Sequence, residues 1–168
     1  MTKSGVAAKL ALAAALAATT TVATMLVQIP IPPTRGYLNF GDILVFTSAL
    51  LFGRFVGGLA GGIGSAMADV ITGYGYFAPY TLIIKGLEGS LAGAIRDGKN
   101  TRRDVLGWFV GAVAMVIGYF LVEAYVMGFG VPAALLEVPS NIIQVLSGAI
   151  IAIPLARGLR DRIPKILI

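Results

Sequence analysis

The 168-residue sequence contains neither cysteine nor histidine, and only 12% of its residues are charged. Without cysteine, the chain can form no disulfide framework and no thiolate metal or redox site. Without histidine, it lacks the commonest metal ligand and the commonest general base. We therefore expect no catalytic residue, no metal and no cofactor, and the sequence indicates a protein that is not an enzyme.

The composition is strongly apolar. Hydrophobic residues make up 57% of the chain, and the mean hydropathy is +0.88. Soluble domains are about 45–50% apolar and about 25% charged. The sequence therefore predicts an all-α integral membrane protein. Since a spanning helix needs about 20 apolar residues, the apolar runs predict a single domain over residues 1–168 with six transmembrane helices.

Prolines, glycines and charges mark the boundaries of the predicted spans. In chain order the spans are 6–29, 40–52, 55–72, a fourth that opens near Pro79 and ends near Ile95, 105–127 and 139–159. Residues 30–38 and 128–138 are predicted as outer loops. Pro139 is placed in the first turn of helix six, where its missing N–H is not needed. The second span is short for a bilayer crossing at about 1.5 Å per residue.

The net charge of +5 is distributed unevenly over this topology. Arg35 alone lies in an outer loop, and Lys85 lies within a span. The eleven residues at the other face are Lys3, Lys9, Arg54, Arg96, Lys99, Arg102, Arg103, Arg157, Arg160, Arg162 and Lys165. By the positive-inside rule, this asymmetry predicts a plasma-membrane protein with both termini cytoplasmic. The charge therefore indicates contact with membrane lipid and no nucleic-acid partner.

Small residues are frequent in the first and third spans. Ala7, Ala11 and Ala15 lie four residues apart, a spacing that allows another helix to approach closely, although alanine is also simply a good helix former. The glycine run from Gly53 to Gly64 is not a phosphate-binding loop, because no Gly-Lys-Ser/Thr follows it and no strand precedes it. Close helix packing is the favoured interpretation. The first span is too long for a signal peptide, so we expect it to be retained.

Polar side chains collect toward the outer side of the predicted bundle. A charge in hydrocarbon is costly unless it is paired or faces a polar cavity, so such residues are candidates for a site. The candidate substrate-binding residues are Asn39, Asp42, Asp69, Tyr74, Tyr76, Lys85, Glu88, Glu123, Glu137, Asn141 and Gln144. Their common depth predicts a pocket open to the outside.

These residues also have purely structural explanations, which stay open at this point. The alternatives are an internal Lys85–Glu88 ion pair, a helix cap by Asp42, hydrogen bonds between helices by Asn141 and Gln144, and an interfacial aromatic belt that includes Tyr37 and Tyr125.

Several short motifs lie in and around this polar region. They are Asn39-Phe40-Gly41-Asp42, the glycine-rich run from Gly57 to Asp69, Gly73-Tyr74, Lys85-Gly86, and Glu137-Val138-Pro139-Ser140-Asn141 followed by Gln144. Together they resemble the S component, the membrane-embedded substrate-binding subunit of energy-coupling factor (ECF) vitamin transporters, in the branch named after riboflavin.

The resemblance implies a six-helix subunit that captures a vitamin or precursor outside the cell. It also implies partners, namely a transmembrane coupling subunit (the T component) and two cytoplasmic ATPases, since the chain has no Walker sequence of its own. In this family the stripe at Ala7, Ala11 and Ala15 contacts the coupling subunit, and residues 30–38 close over the substrate. Riboflavin and pyrimidine or pyridine compounds, such as hydroxymethylpyrimidine or pyridoxine, are the expected ligands.

The charges favour a particular ligand chemistry. Five outer carboxylates against Lys85 and Arg35 favour a neutral or weakly cationic heterocycle over an anion. An autonomous oligomeric transporter or channel is the main alternative, but it needs ionisable groups along the whole crossing, and the inner half of the helices is nearly bare. A membrane enzyme such as a lipid transferase lacks its usual catalytic residues.

Overall fold

The computed structural model describes residues 3–98 and 100–163. Lys99 and Lys165, which belong to the predicted basic face, lie outside the described residues, as does the side chain of Lys3. The elements, in chain order, are α1 (Lys3–Leu26), β1 (Ile29–Ile31), β2 (Gly36–Leu38), α2 (Asp42–Phe52), α3 (Arg54–Thr72), α4 (Ala78–Ile95), α5 (Thr101–Leu121), a π-helical turn (Val122–Val126), α6 (Val131–Leu159) and a 3₁₀ turn (Arg160–Arg162).

The predicted all-α class is confirmed, with one short hairpin added. Among the described residues, four helices are long and apolar enough to cross a membrane, namely Gly5–Leu26, Arg54–Thr72, Thr101–Val126 and Val131–Arg162. The short α2 has only 11 residues, and the 18-residue α4 carries Lys85 and Glu88. The count of six spans and the cytoplasmic location of both termini stay predictions.

Glycines on α3 let it pack closely against its neighbours. A Cβ atom at Gly57 would lie 2.6 Å from the Cα of Ala49 on α2, and one at Gly61 would lie 2.7 Å from the carbonyl oxygen of Lys85 on α4. Both distances are shorter than a real Cβ contact allows. The glycine run therefore serves helix packing, as the sequence indicated.

The short α2 lies at the centre of the bundle. Val45, Phe46, Ala49 and Leu50 are all 0% exposed, so α2 is surrounded by protein and has no need to match the thickness of a bilayer. Phe46 also belongs to the main apolar core, together with Met115 of α5. This position explains how so short a helix can occur in a membrane bundle.

The first predicted loop contains a hairpin. Helix α1 ends at Leu26, three residues before the predicted Ile29, and β1 pairs with β2 in antiparallel register, with Pro30 opposite Tyr37. Pro30 can occupy this strand because β1 is an edge strand, whose outward N–H needs no partner. The hairpin covers the ends of the helices.

The predicted start of helix six at Pro139 is wrong, and the loop predicted over residues 128–138 is non-helical only over 128–130. Helix α6 begins at Val131, after Gly130, which has a φ of +83°. Pro132 takes the first-turn position that the prediction gave to Pro139, and Pro139 lies inside the helix, where it removes one hydrogen bond. The predicted helix over 105–127 likewise changes to π-helical geometry at Val122.

The earlier start of α6 affects the candidate site. Glu137, Asn141 and Gln144 now occupy positions i, i+4 and i+7 of one continuous helix, which places them on one face. All three are buried, with exposed fractions of 4%, 2% and 2%. Helix α6 thus presents a polar stripe to the interior of the bundle.

Candidate functional site

An ion-paired lysine lies at the centre of the polar region. The ammonium of Lys85, 2% exposed on α4, contacts Oδ1 of Asp42 and lies 3.0 Å from Oε2 of Glu88. Both carboxylates are completely buried. The internal pair of Lys85 with Glu88 is therefore present, and Asp42 joins it instead of capping α2, whose N-cap residue is Gly41. The lysine charge is already compensated by protein.

The amide side chains of α6 are paired with each other. Nε2 of Gln144 donates to Oδ1 of Asn141 at 3.0 Å. This leaves Nδ2 of Asn141 and Oε1 of Gln144 without a protein partner, although both are buried. If both amide groups are turned over, one donor and one acceptor still remain free, because each amide carries one of each. The pair thus presents an adjacent donor and acceptor.

We call the hairpin of β1 and β2 the roof of the cavity. Hydrogen bonds hold it to the helices at several points. The hydroxyl of Tyr37 donates to Oδ1 of Asp69 at 2.6 Å, and the hydroxyl of Thr34 donates to Oε2 of Glu137. The ring centroids of Tyr37 and Tyr74 are also 4.4 Å apart. Burial, reinforced by the charge of Asp69, raises the pKa of Tyr37 well above its usual value. The phenol therefore stays a hydrogen-bond donor at neutral pH.

The walls of the cavity include residues that the sequence analysis did not single out for the site. The hydroxyl of Tyr119 on α5 donates to Oγ1 of Thr81 on α4 at 3.0 Å. The lining residues missed from sequence are Thr24, Gly36, Tyr37, Ser65, Phe77, Thr81 and Tyr119. Small hydroxyl residues are common in membrane helices and give no pattern that separates these from others. The outer position of the tyrosines was the one available signal.

Six of the eleven predicted site residues line this cavity, namely Asn39, Asp69, Lys85, Glu137, Asn141 and Gln144. The other five stand behind or outside it. Asp42 and Glu88 support Lys85, and Tyr74 packs behind Tyr37. Tyr76 is 44% exposed and donates to the carbonyl oxygen of Arg35. Glu123 is fully buried on the π-helical turn, and neither of its carboxylate oxygens has a hydrogen-bond partner in the described part of the chain.

The cavity is small while the hairpin is fastened over it. Its volume is about 30 Å³, and since one water needs about 10–15 Å³, this is room for about two water molecules. A ring compound needs more space, so entry of such a ligand requires the hairpin or a neighbouring helix to move.

The first helix exposes its alanines away from this cavity. Ala7, Ala11 and Ala15 are all exposed, whereas Ala13 and Ala17 are buried against the bundle. Beside the exposed stripe, Ala14 and Ala18 line an apolar groove of about 520 Å³ between α1 and α3.

The described residues thus form a helical bundle of apolar, membrane-length helices with a polar cavity beneath a hairpin. Residues 6–161 match the family described as "ECF-type riboflavin transporter, S component". The chain belongs to this family of S components, which are integral membrane subunits of transporters and are not enzymes.

Individual relatives and a solved structure are similar to most of this chain. An uncharacterised protein of Pyrococcus woesei is 51% identical over 148 residues, covering 88% of this chain and 98% of the relative. The thiamine precursor transporter HmpT of Lactococcus lactis subsp. cremoris (strain MG1363) is 34% identical over 145 residues, covering 86% of this chain and 82% of HmpT. A solved S component of a bacterial ECF transporter has the same fold, with a TM-score of 0.72, 20% identity, and coverage of 92% of this chain and 96% of that one.

Proposed function

We propose that this S component captures a small, water-soluble vitamin or vitamin precursor outside the cell and passes it to an ATP-driven importer. The observation that carries this proposal is the set of buried polar atoms without protein partners around the cavity, on Asp69, Asn141 and Gln144. Buried polar groups are costly to leave unpaired, so a ligand that pairs with them gains affinity and selectivity.

The free atoms favour a heterocycle with its own donor beside an acceptor. The α6 pair supplies one donor and one acceptor side by side, which complements a ring nitrogen next to an amino group. Oδ2 of Asp69 has no hydrogen-bond partner and is free to accept a donor of the ligand. Lys85 is already bound to two carboxylates, so no free cation is present there to hold a phosphate. An aminopyrimidine such as hydroxymethylpyrimidine fits these requirements, in keeping with the relative named as a thiamine precursor transporter.

Riboflavin and pyridoxine are the other candidate ligands. The family name points to riboflavin, and both compounds carry ring acceptors and hydroxyl donors. Hydroxymethylpyrimidine, riboflavin and pyridoxine differ in size, and binding measurements with each will show which of them is the ligand.

The exposed alanine stripe at Ala7, Ala11 and Ala15 is the proposed contact with the coupling subunit. Small exposed side chains allow another membrane helix to approach closely. The coupling subunit and two cytoplasmic ATPases supply the energy. In the proposed topology all six helices cross the plasma membrane and both termini are cytoplasmic.

A binding titration tests the proposal directly. The purified chain in lipid nanodiscs is titrated by calorimetry with hydroxymethylpyrimidine, riboflavin and pyridoxine in turn. We expect one of the three to bind with a Kd of about 1 μM or lower, which corresponds to about 8 kcal/mol. Asn141→Ala should weaken that binding, whereas its neighbour Ser140→Ala, outside the cavity lining, should not. Binding of none of the three compounds would contradict the proposed function.

A transport assay with this chain alone distinguishes the proposed function from the alternative of an autonomous oligomeric transporter or channel. Liposomes that contain only this protein should bind the ligand but not accumulate it. Accumulation without ATPases would instead support an autonomous transporter.

A further inference from the structure

The inner end of α2 is a buried helix terminus whose carbonyl groups need partners. Helix α2 ends at Phe52 and α3 begins at Arg54, so Gly53 alone separates them, with a φ of +86°. The last carbonyl groups of a helix have no partners within it. Those of Leu50 and Leu51 belong to residues that are 0% and 4% exposed, so bulk water does not satisfy them readily.

Two arginines from other helices supply the missing donors. Nη1 of Arg96, which directly follows α4, donates to the carbonyl oxygens of Leu51 at 2.8 Å and Leu50 at 3.3 Å. Nη2 of Arg160, which directly follows α6, donates to the Leu50 oxygen at 3.2 Å and to Oδ2 of Asp104 on α5 at 3.0 Å. We call Arg96, Arg160 and Asp104 the arginine clamp, because they join the inner ends of α2, α4, α5 and α6.

These contacts set the clamp apart from two other arginines at the same end, Arg54 and Arg157. Arg54 and Arg157 are exposed, and neither donates a side-chain hydrogen bond among those found in the described part of the chain. A general preference for positive charge at one membrane face accounts for Arg54 and Arg157. It does not account for guanidinium groups directed at two particular carbonyl oxygens.

The other end of α2 carries part of the candidate site. Asp42 is the first residue of α2, and its carboxylate contacts the Lys85 ammonium at the cavity. With 11 residues, α2 is about 16 Å long at about 1.5 Å per residue. Residues 45–51 of α2 are all buried, so we infer that α2 moves as one body and that a shift at its inner end also displaces Asp42.

We propose that Arg96 and Arg160 are positioning residues for the cavity, because they fix α2 at its inner end and thereby set the place of Asp42 against Lys85. The clamp is distinct from the ligand-contacting residues and lies at the opposite end of α2. It connects the occupancy of the cavity to the arrangement of helix ends at the face where the termini of α4, α5 and α6 meet.

Hydrogen–deuterium exchange of the parent and of Arg96→Gln in nanodiscs tests the transmission along α2. Opening of a packed element raises exchange along its whole length. We expect exchange of the amides of residues 42–46 to accelerate about fivefold or more in Arg96→Gln, and similarly in Arg160→Gln. The matched controls Arg54→Gln and Arg157→Gln should leave it unchanged. Faster exchange confined to residues 49–53 would overturn the proposal, since the clamp would then be only a local cap.

A double-mutant cycle with Asp42→Asn tests the route to the cavity, and this second readout rests on the proposed function. With hydroxymethylpyrimidine as the probe, Arg96→Gln should weaken binding about tenfold in the parent and have no added effect in the Asp42→Asn background. Additive effects would contradict transmission through Asp42. If the parent itself does not bind the probe, the proposed function for that ligand fails, while the exchange experiment still decides the role of the clamp.

Arg96→Lys serves as the second variant if Arg96→Gln does not fold. Lysine keeps the positive charge but loses the planar guanidinium, whose Nη1 donates to both carbonyl oxygens, and its ammonium is a more strongly hydrated point charge on a flexible stem. In Arg96→Lys, we expect the exchange rate of the amides of residues 42–46 to lie between the rates in the parent and in Arg160→Gln. Exchange equal to that of the parent would show that charge alone suffices, which contradicts the proposed geometry.

Discussion

The hydroxyl group of Tyr37 donates a hydrogen bond of 2.6 Å to Oδ1 of Asp69, and both side chains are buried. The bond joins β2 of the hairpin to the C-terminal end of α3. The other oxygen of Asp69 has no protein partner, and Asp69 lines the cavity. The residue that fastens the roof is therefore also available to a ligand beneath it.

Replacing Tyr37 by phenylalanine should loosen the roof without disturbing the bundle. A hydrogen bond to a charged group contributes about 1.5–3 kcal/mol, so we expect the bound ligand to dissociate about tenfold faster or more. Stopped-flow measurement of ligand release checks this. Tyr125→Phe is the control, because Tyr125 is 67% exposed and lies outside the cavity. Equal release rates in the parent and Tyr37→Phe would mean that the hairpin does not retain the ligand.

The raised pKa of Tyr37 has a consequence at alkaline pH. Burial and the charge of Asp69 favour the neutral phenol in the folded protein. The resulting stabilisation is complete below the ordinary tyrosine pKa of about 10 and is lost as the pH rises through the raised value. We expect the difference in absorbance at the tyrosinate band between the parent and Tyr37→Phe to appear only above about pH 10. A difference curve with its midpoint at the ordinary value would contradict the buried position.

Lys85 should be essential to stability as well as to binding. Lys85→Met leaves Asp42 and Glu88 buried without their cation, and removing one partner from a buried ion pair costs about 3–5 kcal/mol. We expect a large drop in the unfolding temperature in detergent. The triple variant with Asp42→Asn and Glu88→Gln removes the charges together and should recover much of the loss. A Lys85→Met protein as stable as the parent would show that the carboxylates do not need the ammonium.

The close approach of α3 to α4 can be tested with two glycine substitutions. A methyl group at Gly61 would lie 2.7 Å from the carbonyl oxygen of Lys85, whereas one at Gly75 meets nothing within 4 Å. Gly61→Ala should therefore destabilise the protein by about 1–3 kcal/mol through overpacking, and Gly75→Ala should have little effect. Thermal unfolding of the two variants side by side measures this. Equal unfolding temperatures would contradict the tight packing of α3.

Much of the polar interior was predictable, because an ionisable group within a membrane span is costly unless it is paired or faces a polar cavity. Lys85 and Glu88 lie three residues apart on an apolar helix, so mutual pairing was one open interpretation, and it is correct. Six of the predicted residues line one cavity, and their role in binding stays a prediction. The spacing of Asn141 and Gln144 also predicted their common helix face.

Other features depend on contacts that no local pattern reveals. Thr34 and Glu137 are 103 residues apart, and the hairpin acquires its place through that contact. The start of α6 was misplaced because Pro132 and Pro139 both fit a first helical turn, and local rules do not choose between them. From the sequence, Arg96 and Arg160 are identified only as members of the basic face. Their contacts with α2 depend on the burial of its last carbonyl groups, which no local pattern predicts.

Native mass spectrometry of the purified chain tests the central claim most directly, namely that the polar cavity beneath the hairpin holds a small ring compound. The account predicts a co-purified molecule with the mass of a vitamin or precursor, bound one to one. It also predicts that this mass is lost from Asn141→Ala and retained in Ser140→Ala. A parent protein that carries lipid alone, or a small molecule that Asn141→Ala retains equally well, would contradict the account.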